Sequence, residues 1–357
     1  MDRMVVGFFS TFDIIRSRIL RLTLSVPLFR RWFCTRADRL FVFFLGVCAV
    51  NLFLSILFPL WVLLLGPMIY GIPHILSSIR YTHLALNKTP TSPRPGLRFF
   101  TSIFTVILLF RLATDTGFIR LPDFDLLPEW ISLVVTFLGA AWIYKERLFT
   151  LRNIIYLFCL LGAAWIAPVW MSGALILIHN FIGFFYWIHA SQTRRERIVS
   201  IAATGVFTAI TAMIFLGCFD SVYHSFTPAA EIVWAKMDYS QLGKMIAPWS
   251  PNYIVWFHCV VAYAFGQAVH YFVWLKAIPD QRHTHETPTS FRQSYRLLVN
   301  DFGKGYLAAF AALSLIPILA WCFVNYPQAR VVYFAIASYH GFLELATLSF
   351  IFKRAPA

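Results

Sequence analysis

The sequence predicts an all-α polytopic integral membrane bundle with about ten transmembrane helices and with N- and C-termini cytoplasmic. Three observations carry this. Of 357 residues, 59% are hydrophobic and only 13% charged. Apolar runs long enough to cross a hydrocarbon core of about 30 Å recur along the whole chain, more than a soluble fold could bury. The net charge of +14 is collected in short basic clusters between those runs, the pattern of orientation signals beside anionic headgroups. Nucleic acid is thereby set aside as a partner, and the lipid bilayer takes its place.

Residues 1–38 mix apolar residues with Arg16, Arg18, Arg21, Arg30, Arg31 and Arg36, which predicts a basic amphipathic helix in the cytoplasmic interface. No compact apolar stretch with a small-residue cleavage site is present there, so no cleaved signal peptide is expected. A single transmembrane domain is expected over 39–353. Its first apolar run, Leu40 to Ile72, would be about 50 Å long as one helix. Two helices must share it, turning near Phe58-Pro59, and Pro67 and Pro73 should make the second irregular.

Further spans are predicted near 98–113, 127–145, 149–167, 169–190, 198–218, 252–275, 304–325 and 329–352. Charge supports this topology. Lys88, Arg94 and Arg98, then Lys145, Arg147 and Arg152, then Arg194, Arg195 and Arg197, fall on one face. Lys276, Arg282, Arg292, Arg296, Lys353 and Arg354 join them, while Asp115, Asp123, Asp125, Asp220, Glu231 and Asp238 fall on the other. The basic face is read as cytoplasmic and the membrane as a bacterial inner membrane. An external loop, 219–251, is rich in Trp, Pro and Tyr and reads as a cap; a cytoplasmic loop covers 277–302. The absence of an internal repeat argues against a transporter built from two related halves. The six cysteines are scattered without a CxxC, which predicts neither a disulfide framework nor a thiolate metal site.

Ten histidines are the chemistry-bearing feature. His74, His179, His258, His270 and His340 fall within four predicted spans, where a polar ring needs a partner. Counted from the external helix ends at about 1.5 Å per residue, His258 lies about 7 residues deep, His179 about 10, His340 about 11, His74 about 15 and His270 about 19. His74, His179 and His340 can therefore meet at one level. His258 and His270, twelve residues apart on one helix, cannot share one ion, so one joins the site and the other serves a second site or a structural bond.

Glu344 comes four residues after His340 and shares its helix face, as a ligand or as an orienter of one. Gln267, three before His270, reads as a polar guide for ligand or oxygen. Gly71 and Gly341 leave room for close approach. His83 and His189 sit at helix ends, where interfacial capping is expected. His224 reads as a surface residue, and His283, His285 and Glu286 as part of a solvated loop.

The run Gly71-Ile72-Pro73-His74, with histidines on later helices, resembles the Brp/Blh family of membrane β-carotene 15,15'-dioxygenases. The resemblance implies a polytopic helical protein whose histidines hold an iron that cleaves a carotenoid with oxygen. The HxxxH and HxxHH boxes of membrane desaturases are absent. The function expected is a membrane-embedded, histidine-ligated non-haem iron oxygenase or related oxidoreductase. Its substrate would be lipophilic, of carotenoid, polyprenoid or acyl type, and an electron-donor protein is a further partner in that class of chemistry. The alternative is a non-enzymatic membrane subunit or transporter whose histidines cross-link helices or relay protons.

Overall fold

The computed structural model describes the chain except for residues 1, 28, 29, 31, 32, 34, 87–93, 116, 117, 119–126, 146–149, 167, 227–230, 233–235, 248, 283–289, 313–320 and 354–357. The described residues are almost entirely helical; a two-residue antiparallel pairing of β1 (Glu231–Ile232) with β2 (Met237–Asp238) is a minor feature of the 219–251 loop.

Helix α1 (Asp2–Ser25) precedes α2 (Arg36–Leu57), whose N-terminus is capped by Thr35 accepting from the backbone N–H of Asp38. Phe58 ends α2, and Pro59 opens the next helix at a position where its missing N–H costs nothing. The apolar run thus breaks at the predicted dipeptide. Helix α3 (Pro59–Leu86) is long and passes through a π turn at Pro67–Gly71. The irregularity expected around Pro67 takes that form.

The chain continues through α4 (Arg94–Asp115), α5 (Leu127–Ile143), α6 (Leu151–Ile166), α7 (Pro168–Ala190) and α8 (Arg194–Phe215). In the loop 219–251, α9 (Asp220–Phe226) and α10 (Tyr239–Ile246) flank the β pairing. Helix α11 (Tyr253–Phe272) runs on through a second π turn, Val273–Ala277, into a last turn, Ile278–Arg282. Then come α12 (Phe291–Phe302), α13 (Lys304–Phe310) and α14 (Tyr326–Lys353). Part of the span expected at 304–325 lies outside the described residues.

Among the described residues, four helical segments are long and apolar enough to cross a membrane: Arg36–Leu57, Pro59–Leu86, Arg194–Phe215 and Gln328–Ile351. They carry exposed apolar side chains such as Val50, Phe53, Ile69 and Ile201, a surface suited to hydrocarbon and not to water. The protein is an all-α membrane protein.

Helix α11 is central and packs on α2, α3, α7, α8 and α10, while α14 packs on α3, α4, α5 and α7. An aromatic stack joins the first group. Phe44 meets Phe184 edge-on at 6.0 Å, Phe184 stacks on Phe207 at 4.8 Å, and Phe207 on Phe265 at 5.5 Å. Each such pair contributes about 0.5–1.5 kcal/mol beyond area burial. At the basic end, Arg36 of α2 is locked to Glu196 of α8 at 2.6 Å, both buried. Glu196 also accepts from the backbone N–H groups of Gln192 and Thr193 as the acidic half of a capping box.

Helix α1 is docked on α12 by one carboxylate. Asp13 accepts from the backbone N–H of Phe291 at 2.8 Å and from Arg292 Nε at 3.1 Å. Burial works to raise the Asp13 carboxyl, but the hydrogen bonds from Phe291 and Arg292 outweigh it and hold it below the usual carboxylate range. A lowered carboxyl stabilises the docked state above its unfolded pKa, and that stability disappears as pH falls through the folded value. Hydrogen exchange over residues 2–25 should show protection at neutral pH that is lost on acidification below about 4. In Asp13→Asn the protection should be reduced already at pH 7.

Candidate metal centre

The site is built where α3, α7, α11 and α14 converge. His74 comes from α3, His179 from α7, His270 from α11, and His340 with Glu344 from α14. Local irregularity helps to aim two of them. The first π turn ends three residues before His74, and the second begins three residues after His270. A π turn adds a residue to the helical turn and so redirects the side chains beyond it. The two helices are tied at this point, since the Ser77 hydroxyl donates to the carbonyl of Trp274 within the second turn.

One potential ligand atom from each of His179, His270, His340 and Glu344 lies within 4.8 Å of the others. His74 adjoins this group, its Nε2 being 3.1 Å from His340 Nε2. The ring centroids of His179 stand 4.5 Å from His270 and 4.7 Å from His340. His74, His270 and His340 are 1–2% exposed and Glu344 is 0% exposed, while His179 is only partly covered.

Hydrogen bonding assigns the tautomer of His74. Its Nδ1 lies 3.3 Å from the carbonyl of Tyr70; a carbonyl only accepts, so Nδ1 carries the proton and Nε2 presents its lone pair towards His340. Glu344 Oε1 accepts from Ser78 Oγ at 2.5 Å. Its Oε2 lies 3.4 Å from His179 Nδ1 without forming a hydrogen bond. His340 Nδ1 and both nitrogens of His270 also lack well-formed hydrogen bonds to protein.

The donor set of three imidazoles and a carboxylate is one that could hold a transition-metal ion. His179, His270, His340 and Glu344 would be the residues to hold it, their ligand atoms being gathered within 4.8 Å. Imidazoles with a carboxylate suit iron, with zinc and manganese close to it in chemistry. A bound cation would also satisfy the buried atoms that protein contacts leave open and compensate the carboxylate charge, both costly in hydrocarbon.

The other candidates fall elsewhere. His258 Nε2 is 2.9 Å from Asp220 Oδ1, tying α11 to the start of α9; next to this pair, Gly217 has φ +72 and stands so close that a Cβ would meet Asp220 Oδ2 at 2.8 Å. Of the two histidines on α11, His270 therefore lies with the cluster and His258 in the contact with Asp220 of α9. Gln267 is buried one turn before His270, its Nε2 3.4 Å from the Tyr263 hydroxyl. His83 is buried against the Tyr144 hydroxyl at 2.8 Å. His283, His285 and Glu286, and the side chain of His224, lie outside the described residues.

Three residues near the cluster were not anticipated. Ser78 orients Glu344, Tyr186 donates to the Glu344 carbonyl at 3.0 Å, and Trp274 accepts the Ser77 bond. Ser78 was discoverable, since it lies four residues after His74, as Glu344 lies four after His340. Comparison with known protein families, with curated proteins and with solved structures finds no match for the chain. The resemblance of the Gly71–His74 run to the Brp/Blh family gains no support from them.

The glycines differ in purpose. A Cβ on Gly71 would meet Tyr333 Cε2 at 2.5 Å, whereas one on Gly341 would meet His179 Nδ1 at an ordinary 3.4 Å. Gly71→Ala should therefore lower stability by about 1–3 kcal/mol through overpacking, and Gly341→Ala should be tolerated. Thermal unfolding of the two variants in detergent checks the contrast.

Proposed function

We propose that the protein is a membrane-embedded, non-haem iron enzyme that oxidises or cleaves a lipophilic substrate with dioxygen. The observation that carries this reading is the convergence of His179, His270, His340 and Glu344 within 4.8 Å at one point of an apolar interior, with His74 beside them. One histidine is readily explained as a bond between helices. Imidazoles from four helices around a buried carboxylate, with several ring and carboxyl atoms left unpartnered, are better explained by an ion. The proposal extends to about ten spans with both termini cytoplasmic in a bacterial inner membrane. Helices near the predicted ranges and the segregation of basic residues support that topology.

Bound iron would supply the activation of oxygen. The chain's own residues do the rest. The Tyr70 carbonyl holds the His74 ring, Ser78 holds one oxygen of Glu344, and Tyr271, 4.6 Å from the His74 ring, helps to keep water out. Gln267 is the polar side chain one turn from His270 that could steer an oxygen atom. A dioxygenase reaction places both oxygen atoms in products and needs no added reductant. A hydroxylation would return one oxygen as water and require two electrons from a donor protein.

Elemental analysis of full-length protein purified from iron-supplied cells tests the metal reading. Stoichiometric iron is expected, lost in His340→Ala and in the His179→Ala/His270→Ala double variant, and retained in His258→Ala. Ser78→Ala should weaken the metal about tenfold. A wild-type protein free of transition metal, or metal that survives His340→Ala unchanged, would overturn the assignment and favour histidines that only cross-link helices.

A further inference from the structure

Helices α11 and α14 each carry a row of polar residues at helical spacing. On α11 these are Tyr263, Gln267 and Tyr271; on α14 they are Tyr326, Arg330 and Tyr333. Residues three or four apart share one face of a helix. The two rows meet through their side chains. The hydroxyls of Tyr271 and Tyr333 are 3.2 Å apart, and Tyr263 and Tyr326 are close enough to act electrostatically on Tyr271 as well. Arg330 acts in the same way on Tyr263 and Tyr326. The four tyrosines and Gln267 are only 4–7% exposed.

The polar groups of this seam outnumber the partners that protein gives them among the described residues. In the Tyr271–Tyr333 pair one hydroxyl donates and the other accepts, so the acceptor's own hydrogen is left undirected. Gln267 Nε2 donates to the Tyr263 hydroxyl at a long 3.4 Å, which leaves the Tyr263 hydrogen undirected too. Gln267 Oε1 is buried with no hydrogen-bond partner. Turning the amide over only exchanges the unpartnered oxygen for the nitrogen. Other buried phenols are served differently: Tyr186 donates to the Glu344 carbonyl at 3.0 Å and Tyr339 to the Phe100 carbonyl at 2.8 Å.

Unmatched donors and an unmatched acceptor facing one space at membrane depth are costly unless something joins them. Water both donates and accepts, and a buried water takes two to four polar partners. An anion would set its charge against Gln267 Oε1, and an apolar ligand would satisfy none of these atoms.

We propose that the seam between α11 and α14 is a water site. A short file of ordered water enters beside Arg330, half-buried near the end of α14 away from Lys353, and passes Tyr326, Tyr263 and Gln267 to the hydroxyls of Tyr271 and Tyr333. The ring of Tyr271, 4.6 Å from that of His74, closes the inner end. Solution is thereby brought within one side chain of the histidine cluster, while the cluster itself stays dry. The inference needs no metal, because none of the cluster's residues holds the water.

Radiolytic footprinting tests this on the full-length wild-type protein in detergent, irradiated in water enriched in the heavy oxygen isotope and mapped by tandem mass spectrometry. A hydroxyl radical made from water reacts where it forms, so a buried ring gains labelled oxygen only where a water molecule lies beside it. Tyr263, Tyr271 and Tyr333 should be modified severalfold faster than Tyr186 and Tyr339, which are also buried but bonded to carbonyls. Gln267→Leu, which removes the orphaned amide, should slow modification of Tyr263 and Tyr271 severalfold and leave that of the exposed Tyr253 unchanged. Seam tyrosines as protected as Tyr186 and Tyr339, or modified to the same extent in a folded Gln267→Leu protein, would overturn the proposal. Equal modification of Phe265, fully buried on α11, would overturn it too, because it would show the helices opening and not water resident between them. The wild-type pattern decides the matter even where the variant fails to fold.

Discussion

A polar atom carried into hydrocarbon without a partner costs several kcal/mol, and the interior of this bundle depends on how that cost is met. Four helices each bring an imidazole to the same place, and one also brings a carboxylate. Protein contacts satisfy part of the set: Tyr70 for His74, and Ser78 for one oxygen of Glu344. The remaining atoms can be satisfied together by a shared ion, whereas separate hydrogen bonds would need additional groups around each ring. The relative positions of α3, α7, α11 and α14 therefore derive from side-chain chemistry as much as from apolar packing. Helices buried in lipid gain little by hiding apolar surface from one another.

The same constraint explains the irregular backbone. A π turn leaves backbone groups imperfectly paired, which is tolerated at membrane depth only where protein covers them. The second π turn is largely buried, whereas the first exposes Ile69 and Tyr70 and is covered on its Gly71 side. Pro67 begins the first, contributing no N–H of its own, and the Trp274 carbonyl of the second receives the Ser77 hydroxyl. Gly71, at the end of the first turn, admits the Tyr333 ring, whose hydroxyl lies 3.2 Å from that of Tyr271. The distorted segment is thus packed from two sides by aromatic residues.

Much of the layout was readable because helix length and charge are local properties. The break at Phe58-Pro59 is set by the length of an apolar run, and the candidate histidines stand out by their occurrence within such runs. Depth was less readable. Counting from the start of α11 places His270 well below His179 and His340 and about four residues below His74, yet its ring centroid is 4.5 Å from that of His179. Helix α10 packs on the first turns of α11, where Tyr239 meets Phe257, so the start of α11 is not a reference level shared with the other helices. The choice between His258 and His270 also depended on Asp220, 38 residues away from His258 in sequence. Spacing along a helix cannot reveal such a partner. Ser78 is a different case, since the four-residue rule that joins His340 to Glu344 applies equally to His74.

Helix α3 also stands between the histidine cluster and a cavity. His74 and Ser78 face the histidine cluster, while Ile72, Leu76 and Arg80 line the cavity. Helix α11 has the same double role, with His270 in the cluster and Leu275 and Lys276 on the cavity wall. The wall between cluster and cavity therefore consists of the two helices that contain π turns, tied by the Ser77 to Trp274 hydrogen bond. A change in that bond alters the support of both sides at once, because Ser77 lines the cavity and its neighbour Ser78 holds Glu344.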